Sequence, residues 1–232
     1  MTLLTKKRRL KMQSQLAEEM KITVVYDNEV KKQGLKMDWG FACLIEGVNM
    51  PPILFDTGTS GSILLHNMKE LGISPGDIGI IVISHMHFDH AGGLQDILGL
   101  NKDAELYLPA SFEHAISGRK VAMVKDAGEI CENVFTTGEL LSIEQSLALK
   151  TDKGIVVVTG CSHSGVGNII DAAAKFGMVY GIIGGFHEFS DFERLSDLSL
   201  ICPCHCTQYK QEIEHIFPEK CLGCGAGLVL DL

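Results

Sequence analysis

The sequence predicts a layered α/β fold. Short runs of β-branched and aromatic residues recur along the chain, and segments with apolar residues at helical spacing lie between some of them. This alternation, with a β-rich start to each half, favours layers of helix and sheet over an all-β barrel. The chain has 232 residues. That length suits one domain, or two closely packed half-domains with a shared core, and needs no disulfides for stability.

The predicted strands are short apolar runs. They cover residues 22–26, 41–45, 53–55, 79–84 and 105–108 in the first half, and residues 121–124, 155–159, 179–183 and 198–202 in the second. Helices are predicted at residues 63–71, 169–176 and 208–217, because these segments stop before Gly72, Gly177 and Pro218. We expect one folded domain over residues 20–232, preceded by a helical extension over residues 1–19.

Charge and composition limit the kinds of binding partner that we expect. The net charge of −9 argues against nucleic acid, because such binding depends on clustered Lys and Arg. The basic cluster at residues 6–9 is expected to be a solvated part of the terminal extension. No apolar run has the length of a signal-peptide core or a membrane span. We therefore expect a cytoplasmic protein that acts on a small molecule.

The strongest chemical signal is the sequence His-Met-His-Phe-Asp-His at residues 85–90, directly after a predicted apolar strand. Alternation along an extended chain points His85 and His87 the same way, so both can reach one cation. Asp89 and His90 fall in the turn beyond, where the chain can bend toward a second cation. The run therefore predicts a metal site at a strand end.

Other strand ends supply further candidates. His163 and His205 each follow an apolar strand and stand beside small residues, as the first cluster does. We predict that both are metal ligands. His187 follows another strand and either binds metal or faces the substrate. Asp56, at the end of the third predicted strand, is expected to orient a ligand histidine instead of binding metal itself.

These motifs together resemble the metallo-β-lactamase superfamily. The resemblance rests on Phe-Asp-Thr-Gly at residues 55–58, on the run at residues 85–90, and on His163 and His205. It implies a four-layer αββα sandwich of two similar halves, with a metal site at one edge of the two sheets. It also implies two ligand sets, which are His85, His87 and His163 for the first metal and Asp89, His90 and His205 for the second.

A finer pattern, at residues 159–165, 184–187 and 203–207, resembles one branch of the superfamily. Its members are 7,8-dihydropterin-6-methyl-4-(β-D-ribofuranosyl)aminobenzene 5′-phosphate synthases, which serve a methanopterin pathway. One departure stands out. Most dinuclear members have a bridging acid at the end of the strand before His187, where this chain has glycines. Either His187 or Glu188 replaces that acid, or no protein carboxylate bridges the metals.

The ligand types suit one or two Zn²⁺ ions, with Fe or Mn as alternatives. We expect a hydrolase of a phosphoester or related bond that acts through a metal-bound hydroxide. Asp89 would ligate the second metal and orient the nucleophile. His187 would contact a substrate oxygen or protonate the leaving group. Ser162 and Thr207, each close in sequence to a ligand histidine, would contact the substrate.

Three other functions stay open. A synthase of the branch above would use the metals to position a phosphorylated, pterin-like substrate for carbon–carbon coupling. A di-iron oxidoreductase would want glutamate in place of His87 and usually a flavin domain. A non-catalytic metal- or ligand-binding module would have lost turnover, which the otherwise intact ligand set argues against.

The cysteines allow a second interpretation of the C-terminal third. Cys202, Cys204, Cys206, Cys221 and Cys224 contain two close pairs that can form a structural zinc site. Alternate residues on a strand also suit simple packing of small thiols. We favour packing over the zinc site. A redox role for the C-x-x-C pair at residues 221–224 is expected even less, because no thioredoxin-like context surrounds it.

Overall fold

The computed structural model describes residues 20–114 and 116–232. In this part of the chain, two β-sheets pack face to face and helices cover both outer faces. The predicted layered α/β fold and its αββα arrangement are therefore confirmed. The helix predicted for residues 1–19 lies outside the described residues, and the domain boundary at residue 20 stays a prediction.

The first sheet contains seven strands. They are β1 (Lys21–Tyr26), β2 (Ala42–Glu46), β3 (Ile53–Phe55), β4 (Ile80–Val82), β5 (Glu105–Pro109), β6 (Val121–Val124) and β13 (Val229–Asp231). Their order is β13-β1-β2-β3-β4-β5-β6. Pairs from β13 to β3 are antiparallel, and pairs from β3 to β6 are parallel. The carboxyl ends of β3 and β4 therefore lie side by side at one sheet edge.

The second sheet contains six strands. They are β7 (Gly128–Cys131), β8 (Val134–Thr136), β9 (Leu147–Thr151), β10 (Gly154–Thr159), β11 (Val179–Gly185) and β12 (Leu200–Cys204). Their order is β12-β11-β10-β9-β8-β7. Because β10, β11 and β12 are parallel, their carboxyl ends are adjacent. These are the ends that precede His163, His187 and His205.

The described residues form five α-helices. They are α1 (Gly61–Leu71), α2 (Phe88–Ala91), α3 (Leu94–Leu100), α4 (Val166–Ala173) and α5 (Lys210–Ile216). Helix α1 ends at Gly72, whose φ of 73° is a conformation that glycine adopts without strain. Helices α1 and α3 pack on the first sheet, and α4 and α5 pack on the second. None of the helices described is long and apolar enough to cross a membrane.

Three apolar layers hold the sandwich together. The middle layer lies between the sheets and includes the fully buried Phe55, Val158 and Ile183. Successive strand residues point to opposite faces, so Val157 contributes to the outer layer under α4 instead. Because both faces of β10 and β11 are covered by apolar layers, residues that point to either face are apolar and the two strands read as continuous apolar runs.

Some elements were not predicted or were misplaced. Strands β7, β8, β9 and β13 and helices α2 and α3 carry too few residues, or too many polar ones, for a clear period. The assignment of residues 121–124 to the second half was wrong, because β6 pairs with β5 in the first sheet. A local pattern identifies a strand but not its partner.

Gln145 ties the two sheets together next to the strand ends. Its backbone N–H donates to Ser84 O at 2.9 Å, and its side-chain amide donates to Ile83 O at 2.9 Å and Tyr107 O at 3.1 Å. Its amide oxygen accepts from Thr136 Oγ1 at 2.8 Å. Gln145 is fully buried. One side chain thus satisfies polar groups from both sheets.

Gln145→Ala should lower the free energy of unfolding by about 3 kcal/mol, because buried polar groups in both sheets lose their partners. Urea unfolding followed by circular dichroism measures the change. Gln95→Ala is the matched control, since Gln95 is exposed on α3, and it should change stability by less than about 0.5 kcal/mol. Equal stabilities for the two variants would contradict the bridging role.

Candidate metal centre

The structure brings all six predicted ligands together at the edge where the two sheets meet. The centroid of the His85 ring lies 4.6 Å from the centroid of the His87 ring, 4.9 Å from that of the His163 ring and 4.2 Å from that of the His90 ring. The His90 and His205 rings are 5.0 Å apart. Three strand ends from two sheets therefore deliver one compact cluster.

The first half of the cluster consists of His85, His87 and His163. His85 Nε2 lies 3.1 Å from His87 Nδ1, close to the spacing of about 3.3 Å expected for two nitrogens on one tetrahedral zinc. His163 Nε2 is buried and has no hydrogen-bond partner. A buried polar atom without a partner is costly, and a metal ion would supply one. His85 and His163 therefore fit a zinc-type cation, whereas His87 Nδ1 lies close to His85 but outside the group of ligand atoms within 4.8 Å of one another.

The second half consists of Asp89, His90 and His205. Asp89 Oδ2 lies 3.1 Å from His205 Nε2 and 3.6 Å from His90 Nε2. These ligand atoms, together with the sulfur of Cys161, lie within 4.8 Å of one another. A mixed nitrogen and oxygen set of this size suits a second divalent cation.

Asp56 orients two of the histidines. Its carboxylate accepts hydrogen bonds from Ser84 N and Ser84 Oγ, each at 2.7 Å, and Oδ2 lies 2.7 Å from His90 Nδ1. Because Ser84 Oγ donates its only proton to Asp56, it accepts from His85 Nδ1 at 2.9 Å. Both rings therefore carry their proton on Nδ1 and direct the Nε2 lone pair into the cluster.

Asn28 orients the His205 ring. Asn28 Oδ1 accepts from Gly40 N at 3.1 Å and lies 3.0 Å from His205 Nδ1, while Asn28 Nδ2 donates to His205 O at 3.0 Å. The amide oxygen is thereby fixed as an acceptor, so His205 Nδ1 donates and Nε2 faces Asp89. Asp27 adds a bond from His205 N to its Oδ1 at 3.0 Å.

The site's electrostatics lower the pKa values of three histidines and of Asp89 but raise the pKa of His90, for which the adjacent Asp56 carboxylate outweighs burial. Burial lowers the pKa of His163 to about 4, and burial likewise holds the pKa values of His85 and His205 below the ordinary value. Burial alone would raise the pKa of Asp89, but the hydrogen bond with His205 and nearby histidine charges outweigh it and lower that pKa. Neutral imidazoles and an ionised carboxylate are the forms that ligate metals.

Backbone strain is concentrated at these strand ends. Asp56, Ser162, His187 and His205 have φ values of 59°, 58°, 49° and 47°. Residues other than glycine rarely adopt the left-handed region, which costs about 1–3 kcal/mol at strained sites. Each of these residues lies where the chain turns sharply after a strand. The turns aim side chains at the cluster.

His187 and Glu188 lie at the outer side of the cluster. The His187 ring is 4.8 Å from the His163 ring and is partly exposed. Glu188 is exposed. Among the described residues, neither belongs to a group of ligand atoms close enough to share a cation. The predicted role of His187 toward substrate stays a prediction, as does the question of which group, if any, replaces the bridging acid.

Ser162 and Thr207 have partners within the chain. The Ser162 hydroxyl is buried and donates to Gly185 O at 2.7 Å. Thr207 Oγ1 donates to Cys204 O at 2.7 Å and accepts from Phe186 N at 3.0 Å. These bonds hold the strand-end turns in shape. The predicted substrate contacts of both hydroxyls therefore gain no support from the geometry.

Sequence reasoning missed four residues of the site. Ser84 and Cys161 were adjacent to predicted ligands in sequence, so proximity was an available signal. Asn28 and Trp39 gave no local signal, because each reaches the site only through folding. Trp39 Nε1 donates to Asp89 Oδ2 at 3.0 Å, and its ring lies 4.8 Å from that of His205. The Trp39 side chain is half exposed, so it forms part of the rim.

The cysteines separate into two groups. Cys202, Cys204 and Cys224 are fully buried, with their sulfurs within 4.8 Å of one another. They belong to the apolar layer between the sheets and also form a group of sulfurs close enough to share a cation, so the packing and zinc interpretations both stay predictions. Cys206 lies elsewhere, with its sulfur 3.3 Å from that of Cys161 at the metal cluster.

Comparison with known proteins finds relatives by sequence. A family profile described as Metallo-beta-lactamase superfamily matches residues 40–129. The 7,8-dihydropterin-6-methyl-4-(beta-D-ribofuranosyl)-aminobenzene-5′-phosphate synthase of Methanocaldococcus jannaschii is 29% identical, and the match covers 69% of this chain and 76% of that protein.

Solved structures share the fold. A metal-dependent hydrolase of the beta-lactamase superfamily is 27% identical with a TM-score of 0.74, over 92% of this chain and 99% of that one. The short form of human tRNase Z is 13% identical with a TM-score of 0.60, over 90% and 98%, which shows likeness of fold alone. Residues 40–129 thus match the metallo-beta-lactamase superfamily profile, and the described chain has the metallo-beta-lactamase fold.

Proposed function

We propose that the chain is a metal-dependent hydrolase acting on a phosphoester or related bond of a small molecule. The observation that carries this is the inward-facing ligand set, in which histidine lone pairs and the Asp89 carboxylate converge and His163 Nε2 is buried without a partner. His85, His87 and His163 would hold one Zn²⁺ ion, and Asp89, His90 and His205 a second. Zinc bound here would lower the pKa of a water molecule and polarise the bond under attack.

The chain's own groups would orient the reaction. Trp39 Nε1 donates a hydrogen bond to Asp89 Oδ2, and His205 Nε2 lies 3.1 Å from the same oxygen, so the carboxylate is held in place and would orient the attacking water. His187 stands beside His163 on the exposed side, so it would contact a substrate oxygen or protonate the leaving group. His87 is exposed, and substrate would therefore approach from its side.

A synthase activity is the second candidate. It is favoured by one observation, the 29% identity to an archaeal protein named as a dihydropterin–ribofuranosylaminobenzene phosphate synthase. In this role the same residues would position a phosphorylated, pterin-like substrate for carbon–carbon coupling. The half-exposed Trp39 ring beside His205 offers a face on which a flat heterocycle can stack.

A substrate screen separates the two functions. We expect the Zn²⁺-loaded protein to hydrolyse at least one member of a panel of phosphodiesters, phosphomonoesters, lactones and thioesters. Chelation should abolish this activity and Zn²⁺ should restore it, with Mn²⁺ and Fe²⁺ tested in parallel. A metal-replete protein inert toward the whole panel, yet active in pterin coupling, would overturn the hydrolase proposal in favour of the synthase.

His87→Ala should remove metal from the first ligand set and lower turnover at least 100-fold, because the ion loses one of three protein ligands. Metal content is measured by elemental analysis and turnover with the best substrate of the screen. His215→Ala is the matched control, since His215 is exposed on α5, away from the cluster. Full metal content and full activity in His87→Ala would refute the ligand assignment.

Asp56→Asn should weaken metal binding about 10- to 100-fold, because the neutral amide no longer accepts from Ser84 and His90 as a carboxylate does. Competition with a chromogenic chelator measures the affinity. Asp103→Asn, a change of the same type at an exposed position, should leave affinity unchanged. Equal affinity in the two variants would show that Asp56 does not orient the ligands.

A further inference from the structure

Cys161 occupies the centre of the metal cluster. It follows β10 directly, is 2% exposed, and its sulfur lies 3.0 Å from His90 Nε2. His90 Nδ1 is already engaged by Asp56, so the nitrogen that faces Cys161 is the one directed at a metal. The thiol therefore lies where ligand atoms converge and not in the adjoining apolar layer.

Cys161 is also common to both halves of the site. Its sulfur lies within 4.8 Å of the ligand atoms of His85 and His163, and within 4.8 Å of those of Asp89, His90 and His205. No other residue among those described belongs to both groups. An atom shared by two adjacent ligand sets is placed to bridge two cations.

The end of β11 packs closely against the turn that carries Cys161. A Cβ built at Gly185 would stand 2.6 Å from Gly160 O and from Cys206 Sγ, and 3.3 Å from the Cα of Cys161. A side chain at position 185 would therefore collide with the Cys206 sulfur and with the backbone that precedes Cys161.

We propose that the Cys161 thiolate is a metal ligand shared by both halves of the centre. This inference rests on the proposed metal centre and goes beyond it by assigning the bridging atom. A thiolate among histidines selects soft or borderline cations such as Zn²⁺, Co²⁺ and Fe²⁺ over Mg²⁺ and Ca²⁺. The Cys161 proton is released when the metal binds.

Cys206 provides a matched control. Its sulfur is 3.3 Å from that of Cys161, so it experiences nearly the same surroundings. It belongs to neither group of ligand atoms. Substituting each cysteine by serine removes one sulfur with little change of shape, and Cys161→Ala adds a variant that lacks any replacement oxygen.

The test uses the full chain, prepared under reducing conditions, stripped with a chelator and reloaded with Co²⁺. We expect the wild type to show thiolate-to-Co²⁺ charge-transfer absorption in the near ultraviolet. Cys161→Ser and Cys161→Ala should lose that absorption. Their affinity for one or more equivalents of Co²⁺ should be at least tenfold lower than that of the wild type. Cys206→Ser should retain both. Absorption from any Co²⁺ at the buried cysteines of the core is common to all variants and cancels in the difference spectra.

Three results would overturn the proposal. They are retention of the absorption in both Cys161 variants, its loss in Cys206→Ser alone, and a Cys161–Cys206 disulfide in the metal-loaded protein by mass spectrometry. If the wild type binds two equivalents of Co²⁺ without Cys161-dependent absorption, only this inference fails. If the wild type binds no Co²⁺ at the histidine cluster, His87→Ala will bind the same amount of Co²⁺ as the wild type. The proposed function then fails together with this inference.

Discussion

The buried carboxylate of Asp56 is the interaction on which the site depends. A fully buried charge costs several kcal/mol unless hydrogen bonds compensate it, and here Ser84 supplies two donors and His90 a third. Those three bonds join the end of β3 to the end of β4 and to α2. Through Ser84, the same carboxylate also fixes the His85 ring. One anion thus stabilises the strand ends and sets the direction in which two ligands point.

The sandwich places these strand ends opposite those of the second sheet. Parallel pairing of β10, β11 and β12 puts three turns side by side, and Gln145 holds the first sheet against the second where they meet. Left-handed backbone at Ser162, His187 and His205 is tolerated because hydrogen bonds and packing around each turn exceed its cost. The fold therefore stores local strain at the residues that face the cluster.

The resulting centre mixes nitrogen, oxygen and sulfur. The Asp89 carboxylate and the Cys161 thiol lie within a few ångströms of histidines, and burial lowers the pKa values of His85, His163 and His205. Such a set binds borderline cations strongly and leaves the His87 side open to solvent. An open side is what distinguishes a catalytic metal site from a closed structural one. The same geometry serves hydrolysis or substrate positioning, so the fold alone does not choose the reaction.

The sequence by itself determined which residue types carry the chemistry and that they follow strands. Histidine and aspartate directly after apolar runs are a local signal, and strand periodicity places such residues at sheet edges. Only the tertiary structure decided which strand ends meet, because pairing partners are set by contacts distant in sequence. It placed β6 in the first sheet. It also brought Trp39 to a ligand 50 residues away and Asn28 to a ligand 177 residues away. It also placed the Cys161 sulfur between both ligand sets, since the direction of a side chain after a turn depends on backbone angles that no periodicity specifies.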